Sequence, residues 1–133
     1  MPDAKTALMA YRLENASEKL KAADMLYRIG CYKDAINRSY YAIFSAMRAV
    51  LALDGIDYAK HAGVISYFQK TYIKTGIFEK KYSKYISIAF QIRNNCDYAD
   101  FFLVSEDDAH EQLTHAREFI EAVRQYLEDI GRT

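Results

Sequence analysis

The chain contains few of the residues that interrupt regular structure. Its 133 residues include one proline and five glycines, and tryptophan is absent. A fold made of many short strands needs frequent turns, and tight turns depend on glycine and proline, so this scarcity counts against an all-β architecture. The length is typical of one domain with one core, which we expect to span residues 1–133.

Cysteine and histidine are also too scarce and too scattered to form a metal site. Cys31 and Cys96 match no metal-ligand or disulfide pattern. His110 and His115 are five residues apart, which separates them by about 140° on a helix, whereas the ligands of a zinc ion must converge. The sequence therefore predicts neither a metal nor a cofactor.

Long apolar runs are absent as well. The longest apolar stretch, residues 40–53, is shorter than a bilayer-spanning helix and contains Arg48. The N-terminus does not resemble a secretory signal. We therefore expect a cytoplasmic protein that is not associated with a membrane.

Charge is balanced in number but uneven along the chain. Lysine plus arginine equals aspartate plus glutamate, at 18 each. Residues 70–84 contain five lysines and one acid, whereas residues 106–129 contain eight acids and two arginines. The basic segment has two interpretations: an RNA surface on which tyrosines stack against bases, or a solvated helix face with tyrosines in the core. The tyrosines concerned are Tyr72, Tyr82 and Tyr85.

Hydrophobic periodicity predicts an all-α fold, an up-and-down bundle of four to five helices. The predicted limits are about 3–28, 32–53, 62–72, 79–95 and from Ser105 onward. The second helix is apolar around most of its circumference, so we expect it to be the most buried. Ser105 with Asp108 is typical of a capping box. We expect residues 94–102 to form a loop or a frayed helix end.

The segment 93–98 (RNNCDY) contains the strongest local candidate for a site. Arg93 and Asp97 are four residues apart and share one face if the helix continues. A guanidinium carries a fork of donors that suits a phosphate, so one interpretation is an anion site. The other is a structural ion pair that closes the helix.

Two further polar residues have alternative interpretations. Arg38, on the second helix, either faces the same cleft as Arg93 or forms a buried ion pair with Asp34. His61, at the start of the short third helix, is either a general base or a hydrogen-bonded loop histidine.

Three segments, in this order, resemble small prokaryotic proteins of the HEPN family. Residues 31–44 (CYKDAINRSYYAIF) are similar to the second helix of these proteins, and residues 60–65 (KHAGVI) to the segment that follows it. Residues 93–98 are similar to their arginine–x–x–x–aspartate–tyrosine element. The resemblance covers nearly the whole chain.

The resemblance implies a helical bundle that forms a homodimer, with a cleft near the dimer interface lined by helix two and the end of helix four. Many HEPN domains are metal-independent ribonucleases. Several are toxins encoded beside a minimal nucleotidyltransferase that acts as the antitoxin. RNA or a nucleotide and such a nucleotidyltransferase are therefore the partners that the resemblance implies.

The sequence departs from the ribonuclease motif of the family, which is an arginine, four to six variable residues and then a histidine. Arg93 matches the arginine, but Tyr98 stands at the position of the histidine, and the next histidine is His110. Tyrosine has a pKa near 10 and is a poor base at neutral pH. The motif therefore leaves the proton acceptor unassigned.

These observations define the candidate residues. For catalysis they are Arg93, which would stabilise the charge on the phosphorus centre, Asp97, which would orient Arg93, and Tyr98. For substrate or anion binding they are Arg38, Tyr41, His61 and Asn94. The alternative function is that of a non-catalytic helical protein whose tyrosine-rich groove binds a nucleotidyltransferase.

Overall fold

The computed structural model describes residues 3–132, and these residues form five α-helices and no strand. The helices are α1 (Ala4–Arg28), α2 (Tyr32–Leu53), α3 (His61–Phe68), α4 (Lys81–Tyr98) and α5 (Glu106–Asp129). A π-helical turn, Gln69–Ile73, continues α3. The all-α prediction is confirmed.

Side chains cap the start of α5, as the sequence predicts. The Ser105 hydroxyl accepts a hydrogen bond from the amide of Asp108 at 3.0 Å, and the Asp108 carboxylate accepts one from the amide of Ser105 at 2.9 Å. This reciprocal pair is the predicted capping box at the start of α5. Gly30 follows α1 with φ of 85°, a left-handed conformation that glycine adopts without strain.

Helix α2 lies at the centre of the bundle. Thirteen of its 22 residues are buried, and it packs against α1, α3, α4 and α5. The interior is formed by Ile43, Met47 and Val50 of α2 together with Phe68 and Phe119. Because α2 contacts all the other helices, a side chain on its buried face can reach residues from distant parts of the sequence.

Helix α4 extends further than the sequence predicts. The loop expected from residue 94 is helical as far as Tyr98. Ile92 and Cys96, in the C-terminal part of α4, pack against the small cluster that contains Ile36 and Ala109. Those contacts stabilise the end of α4, and they place Arg93 and Asp97 on one continuous helix.

The third segment is also not the single helix predicted for residues 62–72. Helix α3 ends at Phe68, and in the π turn the amide of Lys74 donates to the carbonyl of Gln69 at 2.8 Å. A π turn accommodates one extra residue per turn, which the period of 3.6 residues does not reveal. Within residues 3–132, no helix combines the length and the apolar character needed to cross a bilayer.

Candidate functional site

Residues from α2, α3 and α4 meet in a polar cluster at one end of the bundle. The hydroxyl of Tyr40 lies 2.8 Å from Nδ1 of His61. Nη2 of Arg93 lies 3.5 Å from the same nitrogen. On the other side of the guanidinium, Nη1 of Arg93 donates to Oδ2 of Asp97 at 3.4 Å. We call these four residues the Arg93 cluster.

Aromatic rings enclose the cluster. The Arg93 guanidinium carbon lies 4.5 Å from the ring centroid of Tyr40 and 5.6 Å from those of Tyr41 and Phe90. These distances are within the range of cation–π attraction. The imidazole of His61 stacks on Phe44, with 4.0 Å between the ring centroids. The rings hold both functional groups in fixed orientations.

The buried guanidinium of Arg93 has few partners for its positive charge and its hydrogen-bond donors. Its exposed fraction is 6 %, and its Nε has no hydrogen-bond partner among the described residues. The bond to Asp97 is long, and that carboxylate is itself partly solvated. A guanidinium has five N–H donors, and a buried donor left unpaired costs free energy. The Nη donors that these contacts leave free can bind an anion such as a phosphate.

Within the cluster, His61 is the residue that can act as a neutral base. Burial raises the pKa of Tyr40 to about 12, although the Arg93 guanidinium acts in the opposite direction, so this hydroxyl stays protonated at neutral pH. Burial lowers the pKa of His61 below its usual value, and the positive charges of Arg93 and Arg48 lower it further. At neutral pH, His61 is therefore uncharged and can accept a proton.

Arg48, one turn beyond Phe44 on α2, adds positive charge beside the cluster. Its Nη2 lies 3.0 Å from Oδ2 of Asp57, and Nη2 of Arg12 lies 3.3 Å from the same oxygen. Two guanidiniums thus share one carboxylate, and the group retains a net positive charge. His61 is therefore surrounded by net positive charge.

The structure brings some predicted site residues together and separates others. Arg93, Asp97, His61 and Tyr41 lie side by side. Tyr98 does not join them, because five residues on a helix turn it about 140° away from Arg93, and it is 78 % exposed.

Arg38 and Asn94 also lie outside the cluster. Arg38 is exposed and has no hydrogen-bond or ion-pair partner within residues 3–132, so the ion pair with Asp34 is not formed. On α2 it lies about 160° around the axis from Tyr40, the residue that faces Arg93. Asn94 is half-buried and makes no side-chain hydrogen bond among these residues.

Sequence reasoning missed Phe44, and it noted Tyr40 among the polar residues of helix two without assigning it to the site. Tyr40 contacts both His61 and Arg93, and Phe44 positions the imidazole. A signal for Tyr40 was present, because a tyrosine on the buried face of a central helix needs a partner for its hydroxyl. Phe44 is indistinguishable in sequence from an ordinary core residue.

The cluster does not have the composition of a metal centre. Among residues 3–132, no group of three or more histidine, cysteine, aspartate or glutamate side chains is arranged to hold a metal ion. It instead combines the donors of Arg93 and Tyr40 with one neutral imidazole and the carboxylate that pairs with Arg93, and the donors and the imidazole suit a phosphodiester.

Comparison with known proteins gives related chains from Thermotoga maritima and Methanocaldococcus jannaschii. A protein of Thermotoga maritima named as a UPF0332 protein is 30% identical over 128 residues, which are 96% of this chain and 97% of the relative. A protein of Methanocaldococcus jannaschii named as a putative toxin is 32% identical over 118 residues, 89% of this chain and 87% of the relative. A second protein of that organism with the same description is 30% identical over 115 residues, 86% and 78% of the two chains.

The sequence profile of the HEPN domain matches residues 9–126, which include all four residues of the Arg93 cluster. The matched range begins within α1 and ends within α5, so it covers α2, α3 and α4 entirely and most of α1 and α5. This chain therefore belongs to the HEPN domain family.

Proposed function

We propose that this protein is a HEPN toxin that binds RNA at the Arg93 cluster and cleaves it without a metal ion. One observation carries the proposal: a buried, under-coordinated guanidinium lies 3.5 Å from the imidazole of His61. The names of the two relatives from Methanocaldococcus jannaschii support the toxin assignment.

The chemistry requires a proton acceptor and a group that stabilises negative charge. In the proposed reaction, His61 takes the proton of the ribose 2′-hydroxyl as that oxygen attacks the adjacent phosphorus. The bond from phosphorus to the 5′-oxygen then breaks, and the imidazolium returns the proton to this leaving oxygen. The products are a 2′,3′-cyclic phosphate and a 5′-hydroxyl, and Arg93 stabilises the charge on the phosphoryl oxygens.

Tyr40 would hold the imidazole of His61 in place. A hydroxyl both donates and accepts hydrogen bonds, so it can accept one from a proton on Nδ1 of His61. In that tautomer, Nε2 keeps the lone pair that the reaction needs. The contact of Arg93 with Nδ1, at 3.5 Å, is at the upper limit for a hydrogen bond and does not fix the tautomer.

In this proposal, His61 replaces the histidine that the family motif has after the arginine. Tyr98, at the motif position, is 78 % exposed and points away from Arg93. His61 comes from a different helix, but its ring lies against the guanidinium. The role of proton acceptor is thus assigned to His61, and Asp97 is assigned the role of orienting Arg93.

Four variants test the proposal. We expect Arg93→Ala to weaken RNA binding about tenfold or more, because a charge-assisted hydrogen bond contributes roughly 1.5–3 kcal/mol. His61→Gln and His61→Asn should retain binding and abolish cleavage of a labelled RNA by the pure protein. Asp97→Ala should reduce both activities less than Arg93→Ala. Unchanged RNA affinity in Arg93→Ala, together with a large loss of stability, would make Arg93 only a structural residue.

A second function has its own supporting observation, an exposed apolar segment after the cluster. Tyr98, Phe101 and Leu103 are 78 %, 98 % and 86 % exposed. Such residues are typical of a protein contact, so the alternative is a non-catalytic partner of a nucleotidyltransferase. The same segment supports a homodimer whose interface borders the Arg93 cluster.

The oligomeric state and the partner can be tested together. Light scattering at tens of micromolar should give a dimer, since an interface of standard size with micromolar affinity associates in this range. Phe101→Ser and Leu103→Ser should shift the protein to a monomer. If the wild type is a monomer, the dimer is excluded. A stable complex with a co-expressed minimal nucleotidyltransferase, without RNA cleavage, would favour the non-catalytic function.

A further inference from the structure

A second cationic region lies at the other end of α3 and α4. The π turn and the start of α4 form a groove of about 640 Å³ whose cationic lining residues are Lys70, Lys74 and Lys80. All three lysines are exposed, and none forms an ion pair within residues 3–132. No carboxylate lines the groove. We call it the lysine groove.

The only acid in this part of the sequence does not neutralise the groove. Nζ of Lys81 lies 3.8 Å from Oε2 of Glu79 and 3.3 Å from Oε2 of Glu118 on α5. A carboxylate of the acidic helix α5 thus pairs with Lys81, and that lysine does not line the groove. The three lysines of the groove keep their full positive charge for an external anion.

The walls of the groove are held together. The side-chain amide of Gln69 donates to the carbonyl of Ser83 at 3.3 Å, which joins the π turn to α4. Ile73, at 5 % exposure, forms an apolar floor. The π turn itself is a feature that recurs at functional sites, because it changes the direction of side chains within a helix. The lysines therefore project from a framework that is fixed before any ligand binds.

No aromatic ring is available in the groove for stacking on a base. Tyr72 and Tyr82 are buried, at 5 % and 7 % exposure. Tyr85 stacks on His115, with 3.8 Å between ring centroids, and its hydroxyl donates to Glu118. The groove therefore presents only point charges, which suit the phosphates of a nucleic-acid backbone rather than its bases.

The groove and the Arg93 cluster are within reach of one RNA strand. Gln69 follows His61 by eight residues, and Ser83 precedes Arg93 by ten, so the separation along the helices is roughly 12–15 Å at 1.5 Å per residue. A stacked strand rises about 3.4 Å per nucleotide and covers this distance in about five nucleotides.

We propose that the lysine groove is a second phosphate-binding site, which holds the backbone of the RNA strand bound at the Arg93 cluster. The inference rests on the proposed function, because it assigns the same RNA to both sites. The groove contributes affinity without sequence preference, and the Arg93 cluster performs the chemistry.

The test compares a long and a short probe on the full chain. In the groove variant, Lys70, Lys74 and Lys80 are all replaced by glutamine. An oligouridylate long enough to reach both sites should bind this variant at least tenfold more weakly than the wild type. The dinucleotide UpU, which fills only the Arg93 cluster, should bind both proteins equally.

Salt dependence provides an independent readout. Each phosphate contact of a single strand contributes about 0.7 to the slope of log affinity against log salt concentration, so three lost contacts should make the slope shallower by about 2. The matched control replaces Lys5, Lys19 and Lys21 of α1 by glutamine, which removes the same charge from a helix that packs on α2 and α5. Its slope should change little.

The outcomes separate the two proposals. If the wild type binds the oligouridylate and the groove variant binds it equally well, the lysine groove is excluded and the proposed function stands. An equal loss in the control variant also excludes the groove, because the effect is then one of overall charge. If the wild type binds neither probe, the proposed function fails, and the groove fails with it.

Discussion

The Arg93 cluster and the lysine groove both present positive charge, but the charge is buried in the cluster and exposed in the groove. Arg93 is a single cation at 6 % exposure, surrounded by aromatic rings and one partly solvated carboxylate. The groove carries three exposed lysines without an ion pair in the described part of the chain. A charge in a low-dielectric site interacts strongly at short range, whereas exposed charges are screened by salt.

The difference determines what each region can do. The rings that exclude water from Arg93 also fix its orientation, which catalysis and specific binding require. The lysines of the groove are solvated and flexible, so they can strengthen binding but do not fix the orientation of a ligand. Substitutions of the rings around Arg93 should therefore affect stability as well as function, while substitutions in the groove should affect binding alone.

The largest effect should come from an aromatic residue that supports the cluster. Phe44→Ala removes the ring under His61 and leaves a cavity in the core, which should cost about 3–5 kcal/mol of the free energy of unfolding. Urea denaturation measures this. Phe101→Ala, at a position 98 % exposed, is the matched control and should change stability by less than about 0.5 kcal/mol. Similar values for both variants would contradict the assigned packing.

The next largest effect should separate stability from binding at Arg93. Arg93→Met removes the charge but keeps an unbranched side chain, and replacing a buried ion by an apolar residue is often neutral or stabilising. We expect unchanged or higher stability in urea, together with a loss of UpU affinity of at least about tenfold, or 1.4 kcal/mol. A fall of several kcal/mol in stability would indicate that the guanidinium is primarily structural.

A smaller effect should follow from the hydroxyl of Tyr40. Tyr40→Phe deletes the hydrogen bond to His61 and should cost about 0.5–1.5 kcal/mol of stability, the typical net contribution of such a bond. RNA cleavage should fall more than RNA binding, because this hydrogen bond no longer holds the imidazole of His61 in place. Tyr41→Phe is the control, since its hydroxyl makes no hydrogen bond within residues 3–132. Equal losses in the two variants would exclude the positioning role.

The smallest effect should be visible in the titration of His61. Because burial and the neighbouring arginines lower the pKa of His61, the wild type should lose its activity only as the pH falls below about 6.5. The folded state resists protonation of His61 while the unfolded state does not. Stability should therefore be highest above the unfolded pKa, about 6.5, and should fall as the pH drops below it.

Arginine substitutions test which charges lower the pKa of His61. Arg93→Met should raise the pKa of His61, and Arg48→Gln should raise it by a smaller amount, since Arg93 is the stronger of the two electrostatic influences. Nuclear magnetic resonance of the imidazole protons measures both shifts. An unchanged titration in Arg93→Met would contradict the contact between Arg93 and His61.

The sequence by itself determined the local features of this protein. Hydrophobic periodicity specifies five helices, and Ser105 and Asp108 specify the start of α5, because each of these signals acts within one or two turns of helix. The spacing of Arg93 and Asp97 gives their ion pair once the helix continues through both.

Only the tertiary structure decided how the functional groups meet. His61 and Arg93 are 32 residues apart, and their contact depends on how α3 and α4 are rotated about their axes when they pack against α2. The rotation of α4 also turns Tyr98 outward, and the rotation of α2 turns Arg38 outward. The C-terminal part of α4 likewise depends on packing, since Ile92 and Cys96 gain their contacts from α2 and α5. Side-chain packing between helices, which leaves no local periodic signal, assembles the Arg93 cluster.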